Sequence, residues 1–178
     1  MGNRTMIRVL KTPAIAAGRP DGTVGLSGHD ADGFDSLRYA AEQGDADAQF
    51  ALAEILYKKY DECDGGEKEL AEAVRWYQAA AGQGDARAQF EIGWCYLSGK
   101  GVEEAPEKAV GWYRLAAEQG YAAAQYWLGW CHQYGKGVEV DLAEAVKWYR
   151  TAAAQGNADA LEDLADLGCE VSGYGMTI

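Results

Sequence analysis

The sequence predicts an all-α protein, a solenoid of antiparallel helix pairs with about three repeats and a half-repeat at each end. Three observations carry this. Gln-Gly recurs at 43–44, 83–84, 119–120 and 155–156, with gaps of 40, 36 and 36 residues. Trp-Tyr recurs at 76–77, 112–113 and 148–149, and Ala-Gln at 48–49, 88–89 and 124–125. No stretch between these marks alternates apolar and polar residues as a half-buried strand would. Repetition at this length without strand patterning belongs to stacked helix pairs.

Each unit reads as two helices, A then B. The A helices are "ARAQFEIGWCYLSG" and "AAAQYWLGWCHQYG"; the B helices are "PEKAVGWYRLAAEQG" and "DLAEAVKWYRTAAAQG". Asp141 and Glu144 have capping-box spacing at the start of a B helix, and Pro106 opens the equivalent helix, where a missing N–H is harmless. Gly84, Gly120 and Gly156 follow the B helices, where a left-handed residue ends a helix at little cost. Asp45, Asp85 and Asn157 then stand ready to cap the next A helix; Tyr121 breaks that rule. Ala88, Gly93, Ala124 and Gly129 are small enough for neighbouring helices to approach closely. Trp76, Trp112 and Trp148 are expected to be largely buried between helices.

The segments "GWCYLSGKGV" and "GWCHQYGKGV" raise two chemical possibilities. Gly-Lys-Gly suggests a phosphate cradle. A P-loop, however, needs G-x-x-x-x-G-K-[ST] after a strand and before a helix. Both copies here follow a helix and lack that spacing, so they read as A–B turns. Cys131-His132 suggests a reactive pair. Adjacent helical residues point about 100° apart and do not face each other, and no third group is evident to orient the imidazole. His132 reads as a packing residue where the second unit has Tyr96. Two His and four scattered Cys give no zinc spacing. No catalytic, metal-binding or cofactor-binding set can be assembled, so the chain is expected not to be an enzyme and to carry no cofactor.

The pattern A-x-x-x-L-G-x-x-Y-x-x-G-x-G-V, followed by D-x-x-x-A-x-x-W-Y-x-x-A-A-x-Q-G, resembles the Sel-one-like repeat, a relative of the tetratricopeptide repeat. The third unit matches at Ala124, Leu128, Gly129, Gly135, Gly137, Val138, Asp141, Ala145, Trp148, Tyr149, Ala152, Ala153, Gln155 and Gly156. In the second, Ile92 replaces Leu and Ala105 replaces the capping Asp. The first has four extra residues around "DECDGGEKE", assigned to its A–B loop, and lacks G-x-G-V. The resemblance covers about residues 34–168. It implies a right-handed superhelix with a concave binding face, and protein–protein scaffolding or adaptor work. A secreted subfamily of similar proteins is stapled by disulfides within each helix pair. Here Cys95 and Cys131 share one repeat position and should lie about 8–10 Å apart or more, beyond disulfide reach. They read as buried free thiols, and Cys63, in the acidic loop, as exposed.

Residues 1–33 read as a flexible N-terminal segment and 169–178 as an irregular tail. The formal charge is −12. That disfavours nucleic acid as a partner, because such affinity rests on phosphate neutralisation by Lys and Arg, and favours a protein or peptide with a basic surface. No apolar run approaches a membrane span, and no secretory h-region is visible, so the expected location is cytoplasmic. If partners meet the A helices, as the resemblance implies, two rows of variable positions become candidates. One is Ala51, Glu91, Trp127, Asp163; the other is Glu54, Trp94, Trp130, Asp166. Three indoles ringed by carboxylates would make a binding surface selective for basic residues. Trp127 should then be partly exposed, since Ala51, Glu91 and Asp163 show that its position needs no large core residue. An alternative function is a dedicated acidic inhibitor, an immunity protein or antitoxin that blocks a basic enzyme.

Overall fold

The computed structural model describes residues 31–62 and 66–169. Among them are eight α-helices: α1 Ala31–Glu42, α2 Ala46–Glu62, α3 Glu67–Gly82, α4 Ala86–Ser98, α5 Pro106–Glu118, α6 Ala122–Tyr134, α7 Leu142–Ala154 and α8 Ala158–Asp166. No strand is present among the described residues. The A helices are α2, α4, α6 and α8; the B helices are α1, α3, α5 and α7. Packing is strongest between consecutive helices and densest within the pairs α2–α3, α4–α5 and α6–α7. None of these helices is long and apolar enough to cross a membrane. The reading of 1–33 as a flexible segment does not hold at 31–33, which open α1; the rest of that reading, the tail beyond 169 and Cys63 lie outside the described residues. The extra residues of the first unit do not simply lengthen its A–B loop. They extend the helix, since α2 has 17 residues against 13 in α4 and α6.

The caps follow from the side chains at the helix starts. The carboxylates of Asp45 and Asp85 and the amide oxygen of Asn157 accept from the backbone N–H of Ala48, Ala88 and Ala160 at 2.8–3.0 Å. Tyr121 makes no side-chain cap. Asp141 accepts from the N–H of Glu144, but the box is not closed. The Glu144 carboxylate pairs with Lys147, and the Asp141 N–H donates to the carbonyl of His132.

A glutamine ladder fixes how the units stack. Gln49, Gln89 and Gln125 are buried, and their amide nitrogens donate to the carbonyls of Ala41, Ala81 and Ala117 at the end of the preceding B helix. Their oxygens accept from Gln83, Gln119 and Gln155 at 2.7–2.8 Å. The recurring Ala-Gln and Gln-Gly therefore bond to each other, and a buried polar side chain is satisfied on both ends.

Glycine permits two close approaches. A Cβ on Gly93 would lie 2.7 Å from the Tyr113 ring, and one on Gly129 would lie 2.8 Å from the Tyr149 ring. The A helix lies directly on a B-helix tyrosine at each site. The Gly-Lys-Gly turns have positive φ at all four glycines. They pack backward: a Cβ on Gly101 would meet Val74 at 2.8 Å and Leu70 at 3.0 Å, and one on Gly137 would meet the Pro106 backbone at 2.3 Å. Each turn is thus seated on the start of the preceding B helix, with Val102 and Val138 joining the core beneath.

Candidate functional site

The A helices are neighbours of one another as well as of their B partners. Arg87 of α4 pairs with Asp47 of α2 and stacks 4.5 Å from the Phe50 ring centre. Trp94 of α4 meets Trp127 of α6 edge-on at 5.1 Å. Variable positions of successive A helices therefore form one continuous strip.

Within this strip the candidate residues separate into two groups. Glu54, Glu91 and Trp130 are partly exposed and Asp166 is exposed. Trp94, Trp127 and Asp163 are not, at 4%, 8% and 3% exposure. The expectation that Trp127 stands in an open groove is overturned. Its ring contacts Trp94, Tyr113, Tyr126 and Trp130 at 5.1–6.3 Å and fills the seam between α4 and α6. The size of its counterparts misled because each seam is filled differently. The aromatic chain continues outward from Trp130 to Tyr134 at 5.2 Å, and Tyr134 is exposed. The sequence reading missed Tyr134, although its place one turn after Trp130 was a usable signal.

In the Trp-Tyr pairs the tyrosine is the more deeply buried member. Tyr77, Tyr113 and Tyr149 are the buried members, at 3%, 0% and 0% exposure. Trp76, Trp112 and Trp148 are partly exposed and pack against the core clusters. The tyrosines face the A helix of their own unit, where the small Gly93 and Gly129 receive two of them.

Glu91 carries an unusual carboxyl. Burial, and then the negative charge of Glu54, pushes its pKa up to about 7. Tyr77, Tyr113 and Tyr121 are raised in part by the charge of Glu91. Cys95 and Cys131 are buried free thiols, each raised to about 12 chiefly by burial, and neither is a nucleophile at neutral pH. Cys169 is free and partly exposed. His132 is buried with neither ring nitrogen hydrogen-bonded, and burial holds its pKa below the ordinary range. It has no base–nucleophile partner. Among the described residues no group of three His, Cys, Asp or Glu is placed to hold a metal ion.

The sequence pattern of the Sel1 repeat matches residues 46–85, 86–121 and 122–157, which are the pairs α2–α3, α4–α5 and α6–α7. The chain belongs to the Sel1 repeat family. Among solved structures it is similar to a Sel1 repeat protein from Oxalobacter formigenes, at 40% identity and a TM-score of 0.65, covering 75% of this chain and 98% of that one. It is also similar to c5321, a protective antigen of uropathogenic Escherichia coli with an SLR fold. That match has 32% identity and a TM-score of 0.58, and covers 78% of this chain and 37% of the antigen. Cysteine-rich protein B of Helicobacter pylori shares the fold at 22% identity and a TM-score of 0.57, covering 77% of this chain and 99% of that one. No curated protein matches the sequence. Sel1 repeat proteins generally mediate protein–protein interaction, and the family is typically non-enzymatic.

Proposed function

We propose that this Sel1 repeat protein is an adaptor that binds a protein or peptide along the strip formed by its A helices, the concave face of the solenoid. The contact residues are Glu54, Glu91, Trp130, Tyr134 and Asp166. One observation carries the reading: a chain of aromatic rings runs out of the strip from Trp127 through Trp130 to the exposed Tyr134. These rings offer apolar and cation–π contact to a partner, and the acidic residues of the strip favour a basic one. Trp94, Trp127 and Asp163 support the strip from beneath and do not touch the partner.

Site-specific photo-crosslinking in the native host tests the reading. A photoreactive residue at Trp130 or Glu91 should capture a discrete protein, whereas one at Leu115, exposed on B helix α5, should not. Capture from Leu115 alone would overturn it. A second reading, an acidic inhibitor that neutralises a basic enzyme, is favoured by the formal charge of −12. It requires association with one basic enzyme that is fast and falls steeply with salt, together with loss of that enzyme's activity.

A further inference from the structure

A groove between the B helices α1 and α3 carries chemistry that the repeat does not explain. It has a volume of about 750 Å³ and is lined by Arg38 of α1 and by Lys68, Glu69, Glu72, Arg75 and Trp76 of α3, with the small Ala71 and Ala79 among them. Three cations thus meet in a chain whose formal charge is −12. Both carboxylates of the groove are already engaged. Glu72 accepts from Arg38 at 2.8 Å and from the Trp76 indole N–H at 3.4 Å, and Glu69 stands 3.9 Å from Lys59. Lys68 and Arg75 are exposed and form no ion pair among the described residues. Seven residues apart on one helix, they share a face and lie about 10 Å apart along its axis.

The other seams between B helices differ. Counting by the repeat, Lys68, Glu72 and Arg75 become Glu104, Lys108 and Gly111 at the next seam, and Val140, Glu144 and Lys147 at the one after. There Lys147 is held by Glu144 at 3.0 Å. The tryptophan recurs as Trp112 and Trp148 and belongs to the framework of the repeat. The two uncommitted cations beside Trp76 belong to the first seam.

We infer that this groove docks an acidic amphipathic helix of a partner protein, with carboxylates at positions i and i+7 against Lys68 and Arg75 and an apolar residue between them against Trp76. An exposed ion pair adds little by itself, so the ligand must reach both cations at once. A helix does so with its own period, because its residues seven apart also share a face and have the same rise. The groove has room for several side chains, and the partly exposed Trp76 offers apolar area between the two charges. The acidic surface elsewhere on the chain repels such a helix and confines it to this groove. Built from B helices, the groove leaves the A-helix strip free, so one molecule can hold a basic partner on the strip and an acidic one here.

Fluorescence anisotropy of the full-length protein tests this, with a labelled synthetic helix carrying Glu at i and i+7 and Leu at i+3 and i+4 as the probe. Binding should saturate, and the same peptide with Gln at both Glu positions should bind about 5–30-fold more weakly. Lys68→Ala combined with Arg75→Ala should weaken binding by a similar factor. Arg150→Glu, at an exposed position of α7, makes the same change of net charge and should leave binding unaltered. Tyr134→Ala, in the A-helix strip, should also leave it unaltered, so that groove and strip are read separately. Absence of saturable binding, equal binding of the Gln peptide, or binding that survives the double variant overturns the inference. So does loss of binding with Arg150→Glu or Tyr134→Ala. Displacement of the peptide by an equal concentration of inorganic phosphate also overturns it, by assigning the groove to a small anion.

Discussion

Tyr113 and Tyr149 occupy the same position in successive repeats, yet their hydroxyls fare differently. The Tyr149 hydroxyl donates to the side-chain oxygen of Gln133 at 2.6 Å. The Tyr113 hydroxyl is buried without a partner, because Leu97 stands where the next unit has Gln133. An unsatisfied buried hydroxyl costs about 1–3 kcal/mol, and removing it with its shape preserved is near neutral or stabilising. Tyr113→Phe should therefore leave the urea midpoint unchanged or raised, whereas Tyr149→Phe should lose about 1 kcal/mol. Equal losses in the two would refute the assignment. Two titratable residues give opposite pH signatures. His132 has a folded pKa below its unfolded value of about 6.5. The unfolded chain binds its proton first as pH falls, so its contribution is present above about 6.5 and is lost below it. Glu91 has a folded pKa raised from 4.5 to about 7. The folded chain holds that proton longer, so its contribution is present below 4.5 and is lost as pH rises through 7. Glu91→Gln should accordingly stabilise the protein more at pH 8 than at pH 5, as read from denaturant melts at each pH. A pH-independent effect would remove the carboxyl's burial as the cause.

Helix boundaries were legible in the sequence because they depend on local chemistry. Asp45, Asp85, Asn157 and Asp141 cap the helices they precede, and the glycines after the B helices take positive φ. The glutamine ladder was visible only as a period. Its bonds join residues 30–34 apart, and nothing local to Gln83 or Gln119 names a partner on another helix. That the tyrosine of each Trp-Tyr pair is the deeper member was missed for a related reason. Adjacent residues on one helix must face different neighbours, and the size of a ring does not say which neighbour is the core. The capacity of Gly93 and Gly129 to receive a tyrosine ring was the deciding signal, because only a residue without a Cβ admits so close an approach. Gly129→Ala should then be destabilising despite the better helix propensity of alanine, by about 1–3 kcal/mol for an overpacked contact. Gly111, with nothing within 4 Å of a Cβ, is the control, and Gly111→Ala should stabilise by about 1 kcal/mol. Thermal or urea melts of the two variants check the opposite signs.

At the scale of the whole molecule, each inner A helix is shared between two cores. From α4, Ala88, Ile92 and Cys95 belong to the first cluster, while Phe90 and Trp94 belong to the second. From α6, Trp127 and Leu128 belong to the second, while Tyr126 and Trp130 pack against the third. A solenoid has no central core, so its cooperativity resides in such shared helices and in the interfaces between units. Trp127 lies at one of these interfaces, against Trp94 of the preceding A helix, and the two indoles bridge α4 and α6. Truncating a buried Trp costs about 3–5 kcal/mol. Because that loss falls on a coupling between units and not within one, the consequence should exceed a shifted midpoint. Trp127→Ala should melt earlier than the parent. Its urea transition should also broaden or divide, with the α6–α8 portion releasing first, since α8 packs chiefly on α7 and has no helix beyond it among the described residues. Far-UV circular dichroism across a urea series reads both effects. A variant that unfolds at the parent's midpoint with the parent's slope would show that the indole bears no load between units and would return it to the binding strip.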